Sequence, residues 1–381
     1  PRKKPVPGPG MAKAAMRPQA KPQRGGGRGA PPFLHFQAVF RVEHMKPLER
    51  IIEAARSGPR HIVMSEGEDP RVVEGSLRAA REGLARITLV GKKSAVAARL
   101  AEQGAGDGEV AIADPSCSPV VAGYAATYHE LRKAKGITAV EAHQAVTAPL
   151  GFAAMMVRLG HADGTVGGAV ATTADTVRAA LQIIGRAPGS RLVSSFFVMM
   201  LCQPYHQKKG AFVFADCGLV VEPDAAELAD IALTSARSYE ALTGARAKVA
   251  MLSFSTGGSA GHQRVSKVVE ATHLARQAAP SLLIDGELQF DAAFVESVNM
   301  AKAPGSVIGG EANVFVFPNL EAANIGYKIA QRIGGAEAIG PVLQGLARPA
   351  NDLSRGCSAD DVYHMIALTV VQAQALQPAT G

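Results

Sequence analysis

The stretch that decides the reading is Ala350-Asn351-Asp352-Leu353-Ser354-Arg355-Gly356-Cys357-Ser358-Ala359-Asp360-Asp361, followed by an apolar run from Val362 to Ala375. A polar loop runs into a helix here. Ser358 is placed to cap that helix, because a serine oxygen accepts from the free amides of a first turn. Asp361 then stands at the third helical position, where a carboxylate closes a capping box and meets the positive end of the helix dipole. Ser354 brings a donor hydroxyl, Arg355 a fixed cation and Asp361 a carboxylate. Such a set suits a site that handles a phosphate and a proton. Asp360 is expected to be solvated.

Working outward, the chain alternates. Residues 61–65, 87–90, 109–113 and 164–170 read as strands, with helices at 48–56, 71–82, 94–103, 119–133, 139–159 and 174–184. Short apolar strands between helices imply a parallel sheet covered on both faces, an α/β architecture. A second set follows, with strands at 193–201, 211–215, 248–254, 282–285 and 314–317 and helices at 224–242, 264–277 and 324–332. The strands at 193–201 and 211–214 read as an antiparallel hairpin at an interface. No tandem repeat is visible.

A chain of 381 residues, 47% hydrophobic, has the length for two or more domains and a large core. The formal charge of +7 comes from the first 44 residues, where nine Lys and Arg face one acid, Glu43, giving +8 and leaving −1 for the rest. That Pro-, Gly- and Arg-rich tail has no periodicity and is expected to be disordered. The remainder is near neutral, which disfavours a general nucleic-acid footprint. The longest apolar run, residues 196–202, is too short to span a bilayer, and no secretory signal is expected. Cys117, Cys202, Cys217 and Cys357 form no CxxC pair, which fits a reduced, cytoplasmic protein.

The opening stretch, with residues 338–349 before it, resembles the phosphate acetyltransferases. So do Ser65-Glu66-Gly67-Glu68-Asp69, Ser253-Phe254-Ser255-Thr256-Gly257-Gly258-Ser259-Ala260, Asp285-Gly286-Glu287-Leu288-Gln289-Phe290-Asp291 and Asn324-Ile325-Gly326-Tyr327-Lys328. The resemblance runs from about Lys46 to about Gln374. It implies two α/β domains with an interdomain cleft, resembling the isocitrate/isopropylmalate dehydrogenase-like fold. Domain I would comprise residues 45–190 plus 341–381, and domain II residues 191–340. It also implies a homodimer and reversible acetyl transfer between coenzyme A and inorganic phosphate, by direct thiolate attack in a ternary complex. Acetyl-CoA and acetyl phosphate complete the substrate set, with no cofactor, no metal and no membrane partner.

Residue by residue, the resemblance makes Asp361 the base for the coenzyme A thiol, Ser354 a helper of the transition state and Arg355 the acetyl phosphate cation. A capping role alone is the competing reading of Asp361. Both roles coexist only where one carboxylate oxygen stays free. Cys357 resembles a family cysteine that is tolerated rather than nucleophilic. Arg132 and Arg178 correspond to arginines that hold coenzyme A. From the residues alone, Arg132 lies in a charge run at a helix end, and Arg178 on a helix that opens after Gly167-Gly168, a fair anion site. Ser255, Thr256 and Ser259 belong to a glycine-bearing turn; phosphate binding and a plain tight turn both fit it. Asp285, Glu287 and Asp291 match no metal-binding spacing. Propanoyl or butanoyl transfer is a close variant. A decarboxylating dehydrogenase lacks support, since no GxGxxG opens a helix after a strand and no acidic metal triad is evident here, and a non-catalytic module sits poorly with Ser354, Arg355 and Asp361 together.

Overall fold

The computed structural model describes residues 46–376; the tail expected over residues 1–44 lies outside them. The described strands, in chain order, are Arg60–Met64 (β1), Ala85–Val90 (β2), Ala111–Ala113 (β3), Gly164–Gly167 (β4), Ser194–Leu201 (β5), Gly210–Ala215 (β6), Lys248–Leu252 (β7), Leu283–Leu288 (β8), Val314–Val316 (β9), Glu337–Gln344 (β10) and Ala350–Asp352 (β11). They form two sheets. The first has the order β11-β4-β1-β2-β3 and is parallel throughout. The second has the order β10-β5-β6-β9-β7-β8. In it β7, β8, β9 and β6 run parallel, while β5 is antiparallel to both β6 and β10. The hairpin expected from the 193–201 and 211–214 runs is therefore present as β5–β6.

The first sheet draws on both halves of the chain because β11 adds beside β4, with Asp352 opposite Gly167. The segment holding β11 reads as loop in sequence, since three residues carry no period. A buried asparagine ties it down. Asn351 accepts from Leu343 N (2.8 Å) and donates to Thr369 Oγ1 (2.9 Å) and Gln372 Oε1 (2.7 Å). Both amide protons and the carbonyl oxygen are engaged with β10 and the last helix, so a single side chain helps pin the start of the opening stretch.

The last helix, Ala359–Leu376, begins three residues before the apolar run. Val362, Ile366, Ala367, Leu368 and Val370 have no exposed surface. A helix apolar on nearly every side belongs inside a protein, and each large aliphatic buried here stabilises the fold by about 1.5–3 kcal/mol. It packs on Pro70–Arg81 and Pro47–Ser57. Gly75 sets the closeness of the first contact: a Cβ there would stand 2.6 Å from Ala359 O and 2.8 Å from Val362 Cβ. The first turn of the last helix thus rests against the helix that follows β1.

Other boundaries moved for local reasons. The run at 139–159 is two helices, Ala139–Thr147 and Pro149–Arg158, because Pro149 can start a helix and cannot continue one. β10 was not foreseen; Gly340-Pro341 inside it breaks the alternation, and the register shifts at that point. The helix expected at 324–332 starts at Leu320, capped by the Asn319 side chain on Ala322 N (3.0 Å). Asp360 is not merely solvated: it accepts from Arg78 Nη1 at 2.6 Å. No described helix is long and apolar enough to cross a membrane.

Candidate active site

The strands of the first sheet run outward in two directions from the β1–β4 boundary: β2 and β3 to one side, β11 to the other of β4. Such a reversal opens a crevice at the carboxyl ends of a parallel sheet, and ligands bind there by preference. Three segments converge at this edge: residues 65–69 after β1, 168–172 after β4 and 353–358 after β11. Leu353 N bonds Gly167 O (2.7 Å) and Ser65 N bonds Val166 O (3.0 Å), so the three leave the sheet side by side.

The amides of the middle segment are already filled. Glu66 accepts from Ala169 N (2.6 Å), Val170 N (3.1 Å) and Ala171 N (2.7 Å). The Gly167-Gly168 junction does bind an anion, as its sequence suggests, but the anion is the chain's own carboxylate. The turn at 255–260 is filled likewise. Ser255 Oγ and Gly258 N both donate to Glu287 Oε1 (2.8 Å each). Gly257 N bonds Glu287 O, Thr256 N bonds Ser259 Oγ and Ala260 N bonds Ser255 Oγ. Ser255 and Thr256 are buried. Ser255, Thr256 and Ser259 therefore form a turn wrapped on Glu287. In this conformation most of their donors have internal acceptors, as in the plain tight turn that is one of the two readings of this stretch. Asp285 pairs with Arg276, and Asp291 with Lys302 at 2.7 Å, so the three acids of that region serve separate partners.

Beside the crevice lies a cavity of about 790 Å³, within the size range of small-molecule sites. Ser354, Arg355 and Asp361 all line it, together with Asp352, Cys357 and the helix opening at Thr172–Ala174. Its far wall comes from the second sheet and the helix Leu320–Arg332, through Phe197, Tyr327 and Arg332. Phe197 stacks on Tyr327 with ring centroids 4.1 Å apart, giving that wall an apolar face.

The capping box is present. Ser358 N (2.8 Å) and Ser358 Oγ (2.9 Å) donate to Asp361 Oδ2, and Asp361 N donates to Ser358 Oγ (3.2 Å). Asp361 Oδ1 has no hydrogen-bond partner among the described residues. Capping occupies one oxygen and leaves the other at the cavity. Ser354 Oγ accepts from Gly356 N (3.2 Å), and among the described residues its proton has no acceptor. The guanidiniums of Arg355 and Arg332 make no hydrogen bond or ion pair among the described residues, and both face one cavity. Two unpaired cations, a free hydroxyl proton and a free carboxylate oxygen can bind a phosphoryl group and accept a proton beside it.

Asp352 differs from Asp361. It has no exposed surface, and neither of its oxygens has a hydrogen-bond partner among the described residues. Burial pushes its carboxyl up to about 6, with the Glu66 charge adding to the effect and the Thr173 and Thr176 hydroxyls opposing it. Gly168, at φ +94°, makes the room: a Cβ there would come within 2.1 Å of Asp352 Oδ1. Burial also raises the Cys357 thiol, against the pull of Arg71.

Arg132 and Arg178 do not line this cavity. Arg132 ends the helix Val121–Arg132, and Arg178 pairs with Asp175 at 2.5 Å on the surface. Sequence reasoning missed Arg332, Asp352, Glu66 and Arg71. A cation in a last helical turn is ordinary, so nothing marked Arg332. Glu66 and Arg71 lie in or beside the Ser65–Asp69 block, which carried a signal without a role.

The profile of the phosphate acetyl/butaryl transferase family matches residues 47–370. A phosphate acetyltransferase of Paracoccus denitrificans is 53% identical over 328 residues, covering 86% of this chain and 99% of that protein. One from Acetivibrio thermocellus is 49% identical over 333 residues, covering 87% and 99%. Among solved structures, the EutD phosphotransacetylase from Staphylococcus aureus superposes with a TM-score of 0.79 at 42% identity, covering 86% of this chain and 99% of that one. A phosphotransacetylase from Streptococcus pyogenes gives 0.81 at 42% identity, covering 86% and 98%. With the match spanning nearly all described residues, the chain belongs to the phosphate acetyl/butaryl transferase family.

Proposed function

We propose that this acyltransferase moves an acetyl group reversibly between coenzyme A and inorganic phosphate, by direct attack of the thiolate in a ternary complex. One observation carries the reading: Ser354, Arg355 and Asp361 meet on a single cavity with Asp361 Oδ1 unused. A free thiol has a pKa of about 8.5, so only about 3% is thiolate at neutral pH. Asp361 takes the thiol proton as sulfur attacks the acetyl carbon. The S–C bond forms, the C–O bond to phosphate breaks, and the proton passes from Asp361 to the departing phosphate. The Ser354 hydroxyl donates to the oxyanion, where one preorganised donor contributes about 3–4 kcal/mol. Arg355 and Arg332 hold the phosphate charge.

Coenzyme A reaches outward from this cavity to Arg132 and Arg178 in this reading. The Asp175–Arg178 pair is exposed and screened by solvent, so Arg178 exchanges it readily for a phosphate. Replacing either arginine with Gln raises KM for coenzyme A more than KM for acetyl phosphate; the reverse ranking moves the residue to another role. The two sheets act as two lobes about the cavity, the isocitrate dehydrogenase-like arrangement. Structures with and without coenzyme A test this by whether the lobes rotate as units. Four unpaired cysteines fit a reducing, cytoplasmic setting, which cell fractionation checks.

A second copy of the chain covers the stripe Ile325, Ile329 and Ile333, which are 60%, 53% and 83% exposed at four-residue spacing. Light scattering then gives twice the chain mass, and Ile329→Glu gives one. A wild-type protein of single-chain mass would remove this assignment. The activity itself is tested by thioester absorbance with acetyl phosphate and coenzyme A. Propanoyl and butanoyl phosphates belong in the same series, because one methylene changes discrimination by only about 1–3 kcal/mol. No thioester from any acyl phosphate would end the reading.

A further inference from the structure

Arg71 is the second residue of the helix Pro70–Arg81, and all five of its guanidinium donors are used. Nε and Nη2 grip Asp69, at 3.0 Å to Oδ1 and 2.8 Å to Oδ2. Nη2 also donates to Ala169 O (2.9 Å). Nη1 donates to Arg355 O (2.8 Å) and Cys357 O (3.0 Å). One planar side chain thus joins all three segments that leave the carboxyl edge of the first sheet.

The loop it holds has little else. Between Leu353, bonded to Gly167 O, and the Ser358 cap, the remaining hydrogen bonds are internal: Cys357 N to Ser354 O (2.9 Å) and Gly356 N to Ser354 Oγ (3.2 Å). Among the described residues, only Arg71 hydrogen-bonds residues 354–357 to the rest of the protein. The segment carrying the free hydroxyl and the unpaired cation of the cavity is therefore located by a residue 283 positions earlier than Ser354 in the chain. Asp69 keeps the fork in place: it caps the same helix through Arg71 N (2.9 Å), and the Arg71 guanidinium holds its carboxyl low.

We propose that Arg71 is a positioning residue for acyl transfer, fixing Ser354 and Arg355 at the cavity wall while the glutamate-filled turn at 169–171 is held beside them. The proposal rests on the roles assigned above to Ser354 and Arg355. It separates geometry from charge. Lysine keeps the charge but has a compact ammonium, which cannot span a carboxylate fork and three carbonyls on two loops. A displacement of about 1 Å in a reacting group costs about a hundredfold in rate.

The test is Arg71→Lys in a Cys117→Ser background, which removes the exposed thiol. Two readouts are taken: steady-state kinetics, and alkylation of Cys357 in the folded protein followed by peptide mass mapping. We expect kcat to fall about ten- to a hundredfold with KM for acetyl phosphate changed less than about threefold. Cys357, now 6% exposed, is expected to alkylate about tenfold faster as its loop is released. Retained turnover overturns the proposal. So does lost turnover with Cys357 still protected and KM for acetyl phosphate raised, which makes Arg71 a charge for substrate. Should Arg71→Lys not fold, Asp69→Asn loosens the fork while keeping the guanidinium, and the same two readouts decide with smaller changes. If wild-type protein makes no thioester, the functional reading fails, while the alkylation rates still report whether Arg71 anchors the loop.

Discussion

Asp361→Asn is expected to lower turnover by about 10²–10⁴ while costing about 1 kcal/mol of stability or less. The asymmetry follows from how the two carboxylate oxygens are divided. Oδ2 serves the cap, accepting from Ser358 N and Ser358 Oγ. Asparagine retains one carbonyl oxygen for that task, so the first turn of Ala359–Leu376 keeps its partner and loses only the charge–dipole contribution of about 0.3–1 kcal/mol. The second position becomes an amide, which cannot take a proton from a thiol. Ser358→Ala is the companion measurement. It removes the hydroxyl from the cap and leaves the carboxylate, so stability should fall by about 1 kcal/mol with turnover nearly kept. If Ser358→Ala loses as much turnover as Asp361→Asn, the cap carries the effect and the base assignment falls.

Asp352→Asn is expected to change how stability depends on pH. Asp352 titrates at about 6 in the fold against 3.8 for the free group, because burial raises it and the Glu66 charge adds, against the Thr173 and Thr176 hydroxyls. Below pH 3.8 the group is neutral in both states and carries no penalty. Between the two values the folded chain holds a proton that the unfolded chain has released, so stability falls as pH rises. Above about 6 the full cost of an ionised buried carboxyl is present, about 3 kcal/mol at most. Asparagine removes this titration. Relative to wild type, the variant should gain up to about 3 kcal/mol between pH 4 and pH 7.5, read as the difference in urea unfolding free energy at those two values. A difference between variant and wild type that does not vary with pH would show that the carboxyl is not held up by its burial.

Three turns teach the same lesson about reading glycine-rich loops. The turns at 167–171 and 255–260 look able to wrap an anion in sequence, and the turn at 216–220 wraps one in the fold. Each already holds one of the chain's own carboxylates. Glu66 fills the first and Glu287 the third. Asp216 fills the second, accepting from Gly218 N (2.9 Å), Leu219 N (3.1 Å) and Val220 N (3.0 Å). An amide cradle in sequence carries no mark of what occupies it, since the acid arrives from a distant residue or from the turn itself. Ser255, Thr256 and Ser259 fit that pattern, and in the fold they wrap Glu287.

From the sequence alone came what depends on near neighbours. The Ser358–Asp361 box was legible because its partners are three residues apart, and an alternating pattern of apolar runs was enough for an α/β protein. The break at Pro149 is equally local, since a proline can start a helix and cannot continue one. Tertiary structure decided everything that depends on burial or on distant partners: that β11 joins the first sheet, that Asp352 is buried at the cavity, that Arg332 lines the same cavity as Arg355, and that Arg71 hydrogen-bonds the loop between. The physical reason is range. A helix cap is settled by bonds within one turn, whereas the charge state of a carboxyl or the place of a loop is settled by whichever atoms the fold brings around it.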